Sequence, residues 1–373
     1  MNCVYQVNLQ REFGGGEVYT RFFTLALLAL GYEVVLFVSR EADFWETLLP
    51  ANVERVRVGS QAEILAQLPQ EASLIVTHSA LDASVAQRVT ARHLLCGFVH
   101  MPLYERDPPG LKHYRLLFCV SRHVQDSLRG RDNAYAEPMY AVADPQRGAK
   151  PGTLVARSEY DWDRRKLRDR FLGLTEPLWR AGSPARAFSK RPGLTLGIVS
   201  RLTPIKQFPL MFGVLGPVLA RYPQVNLEIF GSGGYASVRD LRASLAPMSR
   251  QVRFWGHQPD VAVVYPQLDY VLSGLPEKEA LGLNLIEAQF CGTPVLAVRA
   301  PPFTETVVEG ESGFFFADPR ADGGASFVQL IERLLAGAAR PDPRQARAHL
   351  ERFSFAAFLE RVAAALAAAG AGR

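Results

Sequence analysis

Short apolar runs alternate with longer stretches of helical character along this chain. In the first half the runs fall at 2–7, 33–38, 53–58, 74–77, 94–99 and 116–121, each of strand length. Strand alternating with helix is the pattern of a parallel sheet wound on both faces. The alternation resumes with runs at 194–200, 226–230, 251–255, 269–273 and 295–298. The fold class is therefore α/β, with two doubly wound parallel-sheet domains. A length of 373 residues suits two such domains of roughly 180 each. The divisions predicted are a domain at 1–145, a joint at 146–192, a domain at 193–350 and a closing helical segment at 351–373. The joint holds a charged helix and a Gly/Ser/Pro-rich tract, as a hinge between closing domains would.

Glycine and charge mark the turns that could carry chemistry. The first helix begins after Gly14, Gly15 and Gly16 and ends at Gly31, a natural C′ position. Gly15 and Gly16 let backbone approach a ligand closely, and the helix start adds a positive pole; a flexible turn has the same composition. In the second half, the strand at 194–200 runs into Arg201 and Lys206 on one loop. An Arg fork and a Lys point charge can together neutralise two phosphates, although two solvated loop cations read the same way. The strand at 226–230 leads into Gly231-Ser-Gly233-Gly-Tyr-Ala236, formally G-x-G-x-x-A. Dinucleotide binding would need an acid at the end of the next strand, which instead ends in Gly256-His257-Gln258, so NAD binding is rejected.

The rest is organised around 270–298, YVLSGLPEKEALGLNLIEAQFCGTPVLAV. It reads as strand, acidic loop, helix, Gly-Thr-Pro turn and second strand. Seven residues separate Glu279 from Glu287, and a helix starting near Gly282 leaves Glu279 on the loop and Glu287 on the second turn. Helix amides at the carboxyl end of a strand attract an anion, and acids beside that anion are suited to accept hydrogen bonds from sugar hydroxyls. Two solvated glutamates on a surface helix are the bland alternative. The segment EALGLNLIEAQFCGTPVLA resembles the E-x7-E signature of retaining glycosyltransferases of family four, which have the GT-B fold of two Rossmann-like domains facing a cleft.

That resemblance implies transfer of a sugar from a UDP- or GDP-type donor to a saccharide or lipid-linked acceptor, with retention and without a metal. It places Arg201 and Lys206 at the diphosphate, Glu287 at the ribose and Glu279 at the donor sugar. The helix entrance Leu281-Gly282-Leu283 and the turn at Gly231 would face the phosphates, and Gly256 would lie beside the base. It places Gly15 and Gly16 in a Gly-rich loop at the donor phosphates and acceptor, with Glu17 following as in relatives. His100, closing the strand at 94–99, would border the transferred sugar, and His78 resembles a second histidine common nearby. A lone strand-end histidine is otherwise a packed, hydrogen-bonded residue. Ser200, Gln207 and Ala141 stand where relatives usually have glycine. The resemblance implies front-face attack, with a donor phosphate oxygen helping to take the acceptor proton. No cofactor is called for, since the nucleotide sugar is a substrate, and no Asp-x-Asp motif offers a metal site.

Composition narrows the partners. The four cysteines lie in or beside apolar runs without metal-ligand spacing and read as reduced core residues of a cytoplasmic protein. The apolar run at 22–30 is too short to span a bilayer, and the first strand starts too early for a leader, so membrane contact would be peripheral, on the inner face. The formal charge of +5 is concentrated: 157–191 holds ten Lys/Arg and five Asp/Glu. That run reads as a solvated joint or as a patch for anionic lipid or an acidic acceptor. No recognition motif or interleaved aromatic set accompanies it, which argues against nucleic acid. The rival functions are a sugar-nucleotide epimerase of the same fold and an inactive two-domain sugar-nucleotide-binding protein. The family's habit points to bacterial surface polysaccharide or lipopolysaccharide synthesis.

Overall fold

A computed structural model describes residues 2–104, 106–128, 130–145, 154–162, 166–180 (side chains to 176) and 187–370. The chain forms two compact units, Met1–Ala143 with Glu351–Arg373, and Asp144–Leu350.

The N-terminal unit is built on six parallel strands: β1 (Cys3–Asn8), β2 (Glu33–Ser39), β3 (Glu54–Val58), β4 (Leu74–Thr77), β5 (Leu94–Val99) and β6 (Leu116–Cys119). Their order is β3-β2-β1-β4-β5-β6. The chain winds outward from β1 and then crosses to β4, so the switch point lies between β1 and β4. All of β4 and five of six residues of β5 are buried, because helices cover both faces of a parallel sheet. Helix α1 (Gly15–Ala29) follows β1, and Gly31 closes it with φ 81 and its N–H on the Leu28 carbonyl.

The second unit repeats the plan with β7 (Leu194–Val199), β8 (Val225–Phe230), β9 (Val252–Gly256), β10 (Tyr270–Leu272), β11 (Val295–Val298) and β12 (Gly313–Phe316). The order β12-β11-β10-β7-β8-β9 puts its switch point between β7 and β10. Helices α2 (Leu167–Arg180), α3 (Phe208–Leu219) and α4 (Leu283–Phe290) belong to this unit, and α5 (Phe355–Ala369) to the first. Helix α5 lies on α1: Phe358 meets the Tyr19 ring edge-on at 5.5 Å, and Arg361 donates to the Tyr140 carbonyl.

In the stretch 146–192, expected as a linker and hinge, the described residues bond to the second unit. Arg157 N–H bonds the Trp255 carbonyl, Asp161 N–H the Gly233 carbonyl, and Leu154 is in the core. Arg191 reaches the fully buried Glu228, which also takes Arg253 and the Trp255 indole N–H. A buried carboxylate is tolerated only when paired in this way, so Glu228 fixes the end of the segment. Pattern alone could not show this, because the partners are 37 and 25 residues away in sequence.

Candidate active site

In the second unit the loops after β7 and β10 leave neighbouring strands at the switch point, where open α/β sheets bind ligands. They touch backbone to backbone: a Cβ on Gly274 would lie 2.4 Å from the Lys206 carbonyl oxygen. This contact holds Lys206 against Glu279, and the two form a mostly buried ion pair. Burial alone would raise the Glu279 pKa. The Lys206 charge and hydrogen bond, with the N–H groups of Ala280 and Gly282, outweigh it and hold the carboxyl below its ordinary value.

Helix α4 starts one residue after Gly282, which caps it at φ 81, a left-handed conformation costly for other residues. Asn284 in its first turn donates to the Val199 carbonyl at 3.1 Å and ties the helix to the end of β7. Glu287, on the second turn, accepts from the Tyr265 hydroxyl at 3.0 Å. Burial pushes its pKa up to about 7, against the Tyr265 hydroxyl and the Lys206 charge, which lower it. The two acids thus differ in environment: Glu279 is ionised at neutral pH, and Glu287 is divided between its two forms. The Thr293 hydroxyl bonds the Tyr265 carbonyl at 2.7 Å, so the Gly-Thr-Pro turn also locks the tyrosine that positions Glu287.

This environment has a pH signature. The folded protein keeps the Glu287 proton to about pH 7, whereas the unfolded chain releases it near the ordinary 4.5. The native state binds more protons in that window, so this residue's contribution to stability falls as pH rises through it. Glu287→Gln is expected to flatten the decline: its melting temperature relative to wild type should climb from pH 4.5 to 7 and then level off. Parallel pH profiles for the two proteins would contradict the assignment.

The other predicted residues of this unit separate into two kinds. Arg201 is exposed on the loop that carries Lys206, and it is Lys206 that meets Glu279. Leu281 is buried beneath the α4 entrance, and Leu283 opens the helix. Gln207 takes φ 54, so the turn that relatives build with glycine is kept here by a left-handed glutamine. For Gly231 and Gly256 the fold itself demands glycine. A Cβ on Gly231 would lie 1.8 Å from the Ser200 carbonyl oxygen, and one on Gly256 would lie 2.3 Å from that of Ser158. Their identity therefore reports packing.

In the N-terminal unit the candidates follow β1, β4 and β5, around its own switch point. Gly15 and Gly16 contrast with the glycines above: an added Cβ on either meets nothing within 4 Å. Glu17 is buried beside them and accepts from Asn8. His78 and His100 stack at 5.5 Å and share a hydrogen bond, His78 Nδ1 to His100 Nε2, at 3.2 Å. Burial lowers both pKa values, His100 to about 4, and His78 is lowered further by the His100 charge.

The hydrogen bonds behind this pair admit one consistent set of protons. The Thr24 hydroxyl donates to the Thr20 carbonyl, so it must accept from the Gln6 amide nitrogen. That turns the Gln6 oxygen to His78 Nε2, which therefore carries the proton. His78 Nδ1 then accepts, and His100 donates from Nε2. His100 is left with a bare Nδ1, an acceptor with no bond to the protein among the described residues.

With this geometry in view, residues 186–349 match the family Glycosyl transferases group 1. The chain carries a domain of that family. Among curated proteins, this chain is 25% identical over 408 residues to the D-inositol 3-phosphate glycosyltransferase of Segniliparus rotundus, covering 96% of this chain and 85% of the relative. It is 26% identical over 403 residues to the Corynebacterium kroppenstedtii protein of the same name, covering 92% and 83%. Among solved structures it superposes on Anabaena HepE in complex with UDP with TM-score 0.70 at 18% identity, covering 98% of this chain and all of that one. A Thermosynechococcus elongatus sucrose-phosphate synthase gives 0.67 at 16%, covering 97% and 98%. At these identities the structures establish the GT-B fold.

Four residues that position the candidate groups were invisible to motif reading: Tyr265, Asn284, Gln6 and Thr24. Each lies away from the residue it serves in sequence, or outside the quoted motifs. The available signal was chemical, since Gln6 and Thr24 are buried polar residues among large apolar neighbours and had to be bonding something.

Proposed function

We propose that the protein transfers a sugar from a nucleoside diphosphate to an acceptor hydroxyl, with retention at the anomeric carbon and without a metal. The observation that carries this is the Lys206–Glu279 pair beside the Gly282 helix entrance at the β7/β10 switch point. Breaking the glycosyl–phosphate bond builds negative charge on the departing diphosphate, and a fixed ammonium and helix amides are suited to receive it. Arg201 would add a second cation. Glu287 would hold the ribose diol, Glu279 the donor sugar's hydroxyls, and the bare His100 Nδ1 a sugar hydroxyl. The family resemblance supports retention by front-face attack. HepE structures with UDP and UDP-glucose support a nucleotide-sugar donor.

The acceptor has two readings. A saccharide or lipid-linked saccharide follows from family habit, and a lipopolysaccharide outer core galactosyltransferase is among the structural neighbours, at 14% identity. The names of the curated relatives favour a phosphorylated inositol instead. A thermal-shift panel of nucleoside diphosphates and their sugars tests the donor. Ligand at a hundred times its dissociation constant adds about 2.7 kcal/mol of stability. A shift with a uridine or guanosine diphosphate that survives EDTA is expected, and no shift with any nucleotide would sink the reading. Transfer assays with inositol phosphate and with lipid-linked saccharides then choose the acceptor, and the anomeric proton of the product reports retention.

A further inference from the structure

Helix α2 is amphipathic the wrong way round for a surface helix. Its inner face is polar: Asp169 and Glu176 are buried, and Gly173 lies against the Trp162 ring, which a Cβ would meet at 3.1 Å. The Trp162 indole donates to Glu176 and stacks on Tyr160 at 4.8 Å, and Tyr160 stacks on Tyr235. The outer face is apolar. Leu167, Phe171 and Leu174 are 80%, 67% and 79% exposed, and their i, i+4, i+7 spacing makes one stripe. Lys166 and Arg170 are exposed near it, whereas the Arg168 guanidinium turns to the inner side and lies over the Tyr235 ring at 4.1 Å. A water-facing helix normally turns its leucines inward and its acids outward. This inversion leaves the stripe suited to something other than water.

We propose that α2 lies in the plane of a membrane surface and binds anionic lipid. An apolar stripe rimmed by cations, with the acids on the opposite face, is the arrangement of an interfacial helix. The charge selects the occupant. Among the described residues the exposed charges near the stripe, Lys166 and Arg170, are positive, so a second copy of this chain would bring leucines without counter-charge, whereas anionic headgroups supply both partners. No described helix is long and apolar enough to cross a membrane, so contact is in-plane. The proposal is independent of the catalytic reading, because vesicle binding needs no substrate.

Vesicle flotation tests it with the full chain. Wild type should float with phosphatidylcholine vesicles containing phosphatidylglycerol, stay behind with phosphatidylcholine alone, and release as salt rises. Phe171→Ser should weaken partitioning roughly tenfold, in line with a large apolar side chain kept from the lipid. The triple variant Leu167→Ser, Phe171→Ser, Leu174→Ser should abolish it. Because these side chains are exposed, melting temperature should not fall, and Lys166→Glu with Arg170→Glu gives a second test that leaves the stripe in place. Wild-type protein that ignores anionic vesicles, or variants that bind as well as it does, would overturn the proposal. So would a wild-type dimer in ultracentrifugation that the triple variant splits, with no vesicle binding by either.

Discussion

Lys206→Ala is expected to lower the transfer rate by about 10²–10³, the usual cost of removing one preorganised group that stabilises developing charge. Lys206 is the cation the fold places against Glu279, and its charge also reaches Glu287. Removing it takes away the main influence holding Glu279 ionised, so that carboxyl should move upward in pKa. The variant should also be less stable, by roughly 1–3 kcal/mol, because a mostly buried carboxylate loses its counter-ion. The double variant Lys206→Ala, Glu279→Gln separates the two effects: it should recover stability without recovering rate. Steady-state kinetics and melting curves on the three proteins check both, and full activity in Lys206→Ala would end the electrostatic argument.

Gly16→Ala should give the opposite pattern, a protein that folds normally and works poorly. The position is helical and a Cβ there meets no atom within 4 Å, so alanine should be neutral or stabilising by up to about 1 kcal/mol. If the open space beside the backbone is where phosphate or acceptor sits, a methyl group displaces it by about 1 Å, enough to cost on the order of 10² in rate. Gly231→Ala is the control. Its Cβ would collide with the Ser200 carbonyl, so this variant should lose stability first. Normal activity in well-folded Gly16→Ala would reduce the glycine run to a turn.

The strands were legible because burial on both faces of a parallel sheet leaves near-continuous apolar runs, as in LIVT of β4 and LLCGFV of β5. The start of α4 was legible because Gly282 is both a breaker and the left-handed cap. What pattern could not give was contact at a distance. The coupling of His78 to His100 depends on β4 and β5 being neighbours, and that of Glu287 to Tyr265 depends on a turn outside the motif. Nor does the letter separate two kinds of glycine, since it marks open space at Gly16 and a forced backbone contact at Gly256. The inverted face of α2 was hidden because composition counts charges without saying which way they point.

The chain passes from the first unit to the second after Ala143 and back after Leu350, because α5 completes the first unit's packing on α1. During synthesis the two units are therefore not finished in the order in which they begin. Residues 144–350 are continuous and can complete their own core as soon as they leave the ribosome. The N-terminal unit, although made first, must wait with Tyr19 and Phe22 uncovered until Phe355 and Phe358 arrive. A chaperone that shields apolar surface on nascent chains would thus find a longer-lived target in the first unit than in the second, and truncation before Phe355 would harm the unit translated earlier.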